Sequence, residues 1–104
     1  MKSPLPLEGI RVVEFSHMVM GPACGLVLAD LGAEVIKVEP EGKGDPTRNL
    51  VSAGAGFFAA FNRNKKSVTL DLGSPEGIAT AKKLVATADV FLENFRPAAA
   101  KEGT

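Results

Sequence analysis

Two hydrophobic periods alternate along the chain. The run GIRVVEF, Gly9 to Phe15, is compact, β-branched and bounded by Gly9 and Ser16, and predicts a first strand. In ACGLVLADLG, Cys24, Val27, Leu28 and Leu31 recur at helical spacing, with Pro22 in the first turn and Gly32 at the stop, which predicts a helix. Val35, Ile36 and Val38 form a second short strand, closed by Pro40, which has no N–H to continue a ladder. Strand, helix and strand with tight connections make a βαβ unit, whose crossover is expected to be right-handed.

The stretch from Pro40 to Arg48 concentrates Gly, Pro and charge, and is expected to be a solvated loop with no packing pattern of its own. Phe57, Phe58 and Phe61 fit one face of a short helix that Asn62 to Lys66 stop. Ser67 to Leu72 alternates and is β-branched, a third strand. Ser74 as N-cap, Pro75 at the first helical position and Glu76 in the positively polarised first turn open a further helix. Its buried face is Ile78, Ala81, Val85 and Ala88, while Lys82 and Lys83 point away. Val90 to Glu93 closes the pattern as a fourth strand and leads into the loop Asn94 to Pro97.

Two βαβ halves joined by a long loop predict an α/β fold, an open, mostly parallel sheet of four strands with helices on both faces. Ligands of such sheets sit at the carboxyl ends of the strands. That places the candidate chemistry in Ser16 to Gly21, Glu39 to Arg48, Leu70 to Ser74 and Asn94 to Pro97.

Composition narrows the partners. The 104 residues carry equal numbers of basic and acidic side chains, so the chain has no overall footprint for nucleic acid. No apolar run approaches the length that spans a bilayer, and MKSPLPLEG has no apolar region behind its lysine, so the expected compartment is the cytoplasm. Cys24 is the only cysteine and reads as a buried, inert thiol among small neighbours. His17 is the only histidine, so no histidine-rich metal site and no catalytic triad is closed within the chain.

The first strand-to-helix loop lacks the glycines that bring a backbone up to a pyrophosphate. GAGFFA, Gly54 to Ala59, matches that glycine pattern but follows no strand. Glu39, at the end of the second strand, stands where a dinucleotide fold keeps its ribose-binding acid. His17 admits two readings, a histidine satisfied by backbone or part of a ligand wall. Met18, Val19 and Met20 would form an apolar shelf, with exposed backbone groups offered to an adenine ring or a thioester arm. Arg63, Lys65 and Lys66, with Lys37, Lys43 and Arg48 elsewhere, read as a solvated charged face or as converging phosphate ligands. Arg96, directly after Asn94 and Phe95, pairs an aromatic ring with a guanidinium and an amide, a set that stacks on a base and binds phosphate oxygens.

Taken together, LEGIRVVEFSHMVMGPACGLVLADLGAEVIKVEPEGKGDPTR, NRNKKSVTLDLGSPEG and ADVFLENFRP resemble the N-terminal part of the class III coenzyme A transferases. That family includes formyl-CoA:oxalate and carnitine CoA-transferases and the related 2-methylacyl-CoA racemases. The resemblance covers Leu7 to Pro97 and implies a Rossmann-like, CoA-binding α/β domain of an enzyme that moves CoA from an acyl-CoA thioester to a free carboxylic acid. It implies coenzyme A as part of the substrate, no metal and an interlocked homodimer. It further implies that His17, Met18, Val19 and Met20 lie against the CoA, that Leu70 borders the adenine, and that Asn94, Phe95 and Arg96 contact the nucleotide end. Pro40 and Gly73 depart from the family pattern, where formyl-type members carry an arginine and some members a lysine.

The family's nucleophile is an aspartate that forms acyl-anhydride and aspartyl-CoA thioester intermediates. Asp30, Asp45, Asp71 and Asp89 fall in other segments. The expectation is therefore that residues 1–104 are the N-terminal part of the CoA-binding domain, inactive alone, with the nucleophile beyond position 104. The GDPTR loop and the ENFRP ending favour transferase over racemase. A racemase of 2-methylacyl-CoA and a dinucleotide-binding domain of NAD type stand as the alternatives.

Overall fold

The computed structural model describes residues 5–42 and 44–94. Four strands, β1 (Arg11–Phe15), β2 (Glu34–Pro40), β3 (Lys66–Leu70) and β4 (Val90–Glu93), pair in the order β3-β2-β1-β4, each pair parallel. The helices among the described residues are α1 (Met20–Asp30), α2 (Phe57–Asn62) and α3 (Pro75–Ala86), with 3-10 turns at Pro46–Asn49 and Ser52–Gly54. This is the α/β sheet expected from the alternating periods. No described helix is long and apolar enough to cross a membrane.

Side chains alternate across a strand, so each face of the sheet collects every second residue. Val12 and Val35, paired in register, face α1 and pack with Ala29 and Ala33, supported by Leu7, Ile10, Leu28 and Leu92. Val13, Phe15 and Val38 face the other way and pack on Ala81 of α3, with Leu70, Leu72, Leu84, Val85 and Ala88 around them. The α3 start is built as expected: Ser74 Oγ accepts the Gly77 N–H at 3.0 Å, Pro75 opens the helix, and Glu76 lies in its first turn.

Three expectations need correction. Helix α1 buries Gly21, Pro22, Gly25 and Ala29, whereas Cys24 is exposed, Val27 is 57% exposed and Leu31 also faces outward. The physical reason is closeness: a Cβ at Gly25 would collide with the Glu14 carboxylate, so only a face of small residues can approach the sheet. Cys24 is therefore not a buried thiol. Strand β3 is shifted toward its N-terminus and stops at Leu70, because the Asp71 carboxylate accepts the Gly73 N–H at 2.9 Å and turns the chain. The loop after Pro40 is not simply solvated, since Asp45 and Thr47 are almost wholly buried.

Candidate functional site

From β1 the chain proceeds to β2 and β3 on one side, then returns to add β4 on the other. The strand order thus reverses between β1 and β4, the place where an open parallel sheet leaves a crevice at its carboxyl end. The Ser16–Val19 loop leaves β1 at that point, and Asn94 follows β4 beside it. The Asn94 amide clamps both backbone groups of one loop residue: its Oδ1 accepts the His17 N–H at 3.2 Å, and its Nδ2 donates to the His17 carbonyl at 2.9 Å. Gly21 is required there, because a Cβ would come within 2.6 Å of Ser16 Cβ and 2.8 Å of Asn94 Cγ.

On the other side the loop is held from below. Lys37 Nζ donates to the Ser16 carbonyl at 2.9 Å, and the Met18 N–H donates to Thr47 Oγ1 at 2.8 Å. Met18 itself has φ 65°, a left-handed conformation uncommon for a side chain of its size. Met18 and Met20 are exposed, Met20 to 80%, and Val19 between them is half-buried. The backbone expectation is corrected for two of these groups: the Met18 N–H donates to Thr47 and the Val19 carbonyl accepts from the Ala23 N–H at 2.7 Å.

The bonds that hold this loop grow from charges on the α1 face of the sheet. Glu14 of β1 and Lys37 of β2 are register partners, and their side chains are 0% and 1% exposed. Lys37 Nζ lies 2.9 Å from Asp45 Oδ2 and 3.5 Å from Glu14 Oε2. Lys65 reaches Glu14 Oε2, the Pro22 carbonyl and Asn62 Oδ1, each at 2.9 Å, and the Ser16 hydroxyl also donates to Glu14. Burial pulls the Lys65 ammonium below its ordinary range, and the Glu14 carboxylate opposes that shift.

One step further along β2, Glu39 takes two bonds from Arg48, at 2.7 and 2.8 Å, the Asp45 N–H at 2.8 Å and the Ser67 hydroxyl. The Arg48 guanidinium foremost, then Ser67 and the Asp45 amide, hold the Glu39 carboxyl at about 2 against the cost of burial. The guanidinium stacks 3.8 Å from the Phe58 ring centre.

These contacts correct two sequence readings. Glu39 is not presented to a ribose, because its oxygens are committed to Arg48, Ser67 and Asp45. Among the described residues, the basic side chains of that reading are each engaged by carboxylates of the protein. Lys37 and Lys65 are buried struts, Arg48 pairs with Glu39, Arg63 with Asp30 at 3.0 Å, and Lys66 with Glu34 at 2.6 Å. Lys43 lies outside the described residues.

A concavity opens at the carboxyl ends of β2 and β3 on the α3 face, with a volume of about 310 Å³. Phe15, Val38, Pro40, Leu70 and Leu72 give it apolar walls, and Glu41 and Asp71 stand among its lining. Of the predicted site residues, His17, Met18, Val19, Met20 and Asn94 come together at the strand-order reversal. Leu70 lines the concavity on the α3 face together with Phe15, the last residue of β1, although β2 lies between their strands. Phe95 and Arg96 lie outside the described residues. Thr47, Asp45 and Glu14 were not picked out from sequence, and Lys37 and Lys65 were read there as a solvated face or phosphate ligands and not as buried ion-pair partners. Their signal was the placing of Glu14, Lys37 and Glu39 inside the β-branched runs VVEF and VIKVE, where strands of a covered sheet are expected to be apolar.

Residues 7–103 match CoA-transferase family III. The chain is 49% identical to the succinyl-CoA–D-citramalate CoA-transferase of Chloroflexus aurantiacus, over 97% of its own length and 26% of that protein. It is 44% identical to the succinyl-CoA:glutarate CoA-transferase of Mus musculus, over 88% of its length and 22% of that protein. The crystal structure of Rv3272 from Mycobacterium tuberculosis superposes with a TM-score of 0.89 at 47% identity, covering 97% of this chain and 28% of that one. The chain spans about a quarter of the length of the curated relatives it matches.

Proposed function

The chain belongs to CoA-transferase family III, and from that premise we propose that it supplies the CoA cradle of an enzyme that moves CoA from an acyl-CoA thioester to a free carboxylic acid. The observation that carries this reading is the double clamp of Asn94 on the backbone N–H and carbonyl of His17 at the strand-order reversal. It holds His17 to Met20 as a rigid wall whose exposed thioethers suit a long, flexible ligand arm lying along the loop. His17, Met18, Val19, Met20 and Asn94 are assigned to that wall. Leu70 is assigned to the adenine side, and Phe95 and Arg96 to the nucleotide end. The curated relatives support the reaction class, since both transfer CoA from succinyl-CoA by name.

The nucleophile is assigned to sequence beyond Thr104, where a carboxylate attacks the thioester and splits one hard transfer into two easier ones. The aspartates of this chain have other work. Asp30 pairs with Arg63, Asp45 with Lys37, Asp71 caps a turn, and Asp89 accepts the Arg11 N–H at 2.9 Å. The outward apolar residues Met20 and Val27 of α1, with Leu31 just after it, support an interlocked homodimer that covers them.

Titration calorimetry of coenzyme A into the 104-residue chain tests the cradle. Saturable binding, weakened by His17→Ala, is expected. No detectable binding would sink the claim that the cradle is preformed here, and binding of NADH without CoA would transfer the case to the dinucleotide reading.

A further inference from the structure

We infer that Thr47 is a positioning residue whose hydroxyl sets the Met18 turn. Thr47 is fully buried, although it lies in a stretch of Gly, Pro and charge. Its Oγ1 is the acceptor for the Met18 N–H, at 2.8 Å, and Met18 is the residue of the loop in the left-handed conformation. A backbone turn that L side chains rarely adopt persists where its surroundings over-determine it. Here the surroundings are a second loop.

That second loop is itself locked, so the hydroxyl cannot drift. The Thr47 N–H donates to Asp45 Oδ1 at 2.8 Å, which caps the Pro46–Asn49 turn. Asp45 is tied through its other oxygen to Lys37 Nζ at 2.9 Å and through its N–H to Glu39 at 2.8 Å. Arg48, one residue beyond Thr47, grips the same Glu39 with two bonds. Both routes end on β2, so the central strand dictates where the Thr47 oxygen stands. Lys37 meanwhile holds the Ser16 carbonyl two residues before Met18. The D-P-T-R stretch thus acts as a brace between the sheet and the Met18–Met20 shelf. Its consequence for CoA binding rests on the function proposed above, whereas its effect on the turn does not.

The contrast between Thr47→Val, which removes the acceptor, and Thr47→Ser, which keeps it, tests the inference. Two quantities are read on the 104-residue chain: Met18 amide hydrogen exchange by NMR, and coenzyme A affinity by calorimetry. Loss of one buried hydrogen bond predicts about tenfold faster Met18 exchange and about fivefold weaker CoA binding in Thr47→Val, with both kept in Thr47→Ser. Unchanged Met18 exchange in Thr47→Val would overturn the inference. So would faster exchange in both variants alike, since the oxygen would then be irrelevant. Should Thr47→Val fail to fold, Thr47→Ala against Thr47→Ser supplies the same contrast. Absence of CoA binding by the unmodified chain would overturn the proposed function alone, and Met18 exchange would still decide the role of Thr47.

Discussion

Val13 and Glu14 are neighbours in β1, and Lys37 and Val38 are neighbours in β2, yet each pair is divided between opposite faces of the sheet. Val13 and Val38 enter an apolar cluster under α3. Glu14 and Lys37 meet inside a network that also holds Asp45, Lys65, Ser16 and Asn62. The apolar face is held by non-directional burial, which places α3 but dictates the position of no single atom. The charged face is held by directional bonds, several of which end on the backbone, at the Ser16, Pro22 and Phe58 carbonyls and the Thr47 N–H. Burying these ions carries a desolvation cost that apolar residues would not. What the cost secures is geometry: the network lies beneath the β1–α1 loop and pins it.

The sharpest way to break the comparison is to alter one residue on each face. Lys37→Met leaves Glu14 and Asp45 buried beside a neutral chain and is expected to lower the unfolding free energy by about 3–5 kcal/mol. Val13→Ala, on the apolar face, is expected to cost only about 2 kcal/mol. Urea denaturation of both variants checks the ranking, and equal costs would show that the charges contribute no more than packing does.

Acid supplies the next largest effect. The Glu39 carboxyl is held at about 2 against its ordinary 4.5, so its contribution is complete above pH 4.5 and drains away as the pH falls toward 2. Screening at the partly exposed Arg48 leaves on the order of 2 kcal/mol in that window. Thermal melts from pH 6 to pH 2 should show a steeper loss for the unmodified chain than for Glu39→Gln, and parallel curves would refute the assignment. The smallest effect marks the limit of the charged region. Arg63 and Asp30 are exposed, so Arg63→Ala is expected to change stability by less than about 0.5 kcal/mol by the same denaturation assay.

Most of the fold could be read in advance because each element announces itself locally. Ser74-Pro75-Glu76 opens a helix wherever it stands, and β-branched runs ended by Pro40 or a polar loop make strands. Two of the misreadings share one physical origin, the packing of α1 on the sheet. Cys24, Val27 and Leu31 have the spacing of a buried stripe, but the buried stripe is Gly21, Pro22, Gly25 and Ala29, because Glu14 and Lys65 occupy the volume that larger side chains would need. Periodicity reports which residues share a face, not which face meets the sheet. Likewise Lys65 reads as one more surface lysine between Arg63 and Lys66, and only the position of Glu14, far away in sequence, draws it inside.

The candidate site divides along the same line. His17, Met18, Val19, Met20 and Asn94 could be named from the chain because strand ends and the family motifs locate them. That Leu70 shares a concavity with Phe15 of β1, across the intervening β2, followed from the tertiary structure. By itself the sequence determined the element order, the parallel α/β class and the family, because these depend on local periodicity and on motifs held in one dimension. The tertiary structure alone decided which charges are buried and which loop atoms are already spent. Those outcomes depend on distances between segments many residues apart, where Lys37, Asp45 and Thr47 converge beneath a loop that none of them adjoins in sequence.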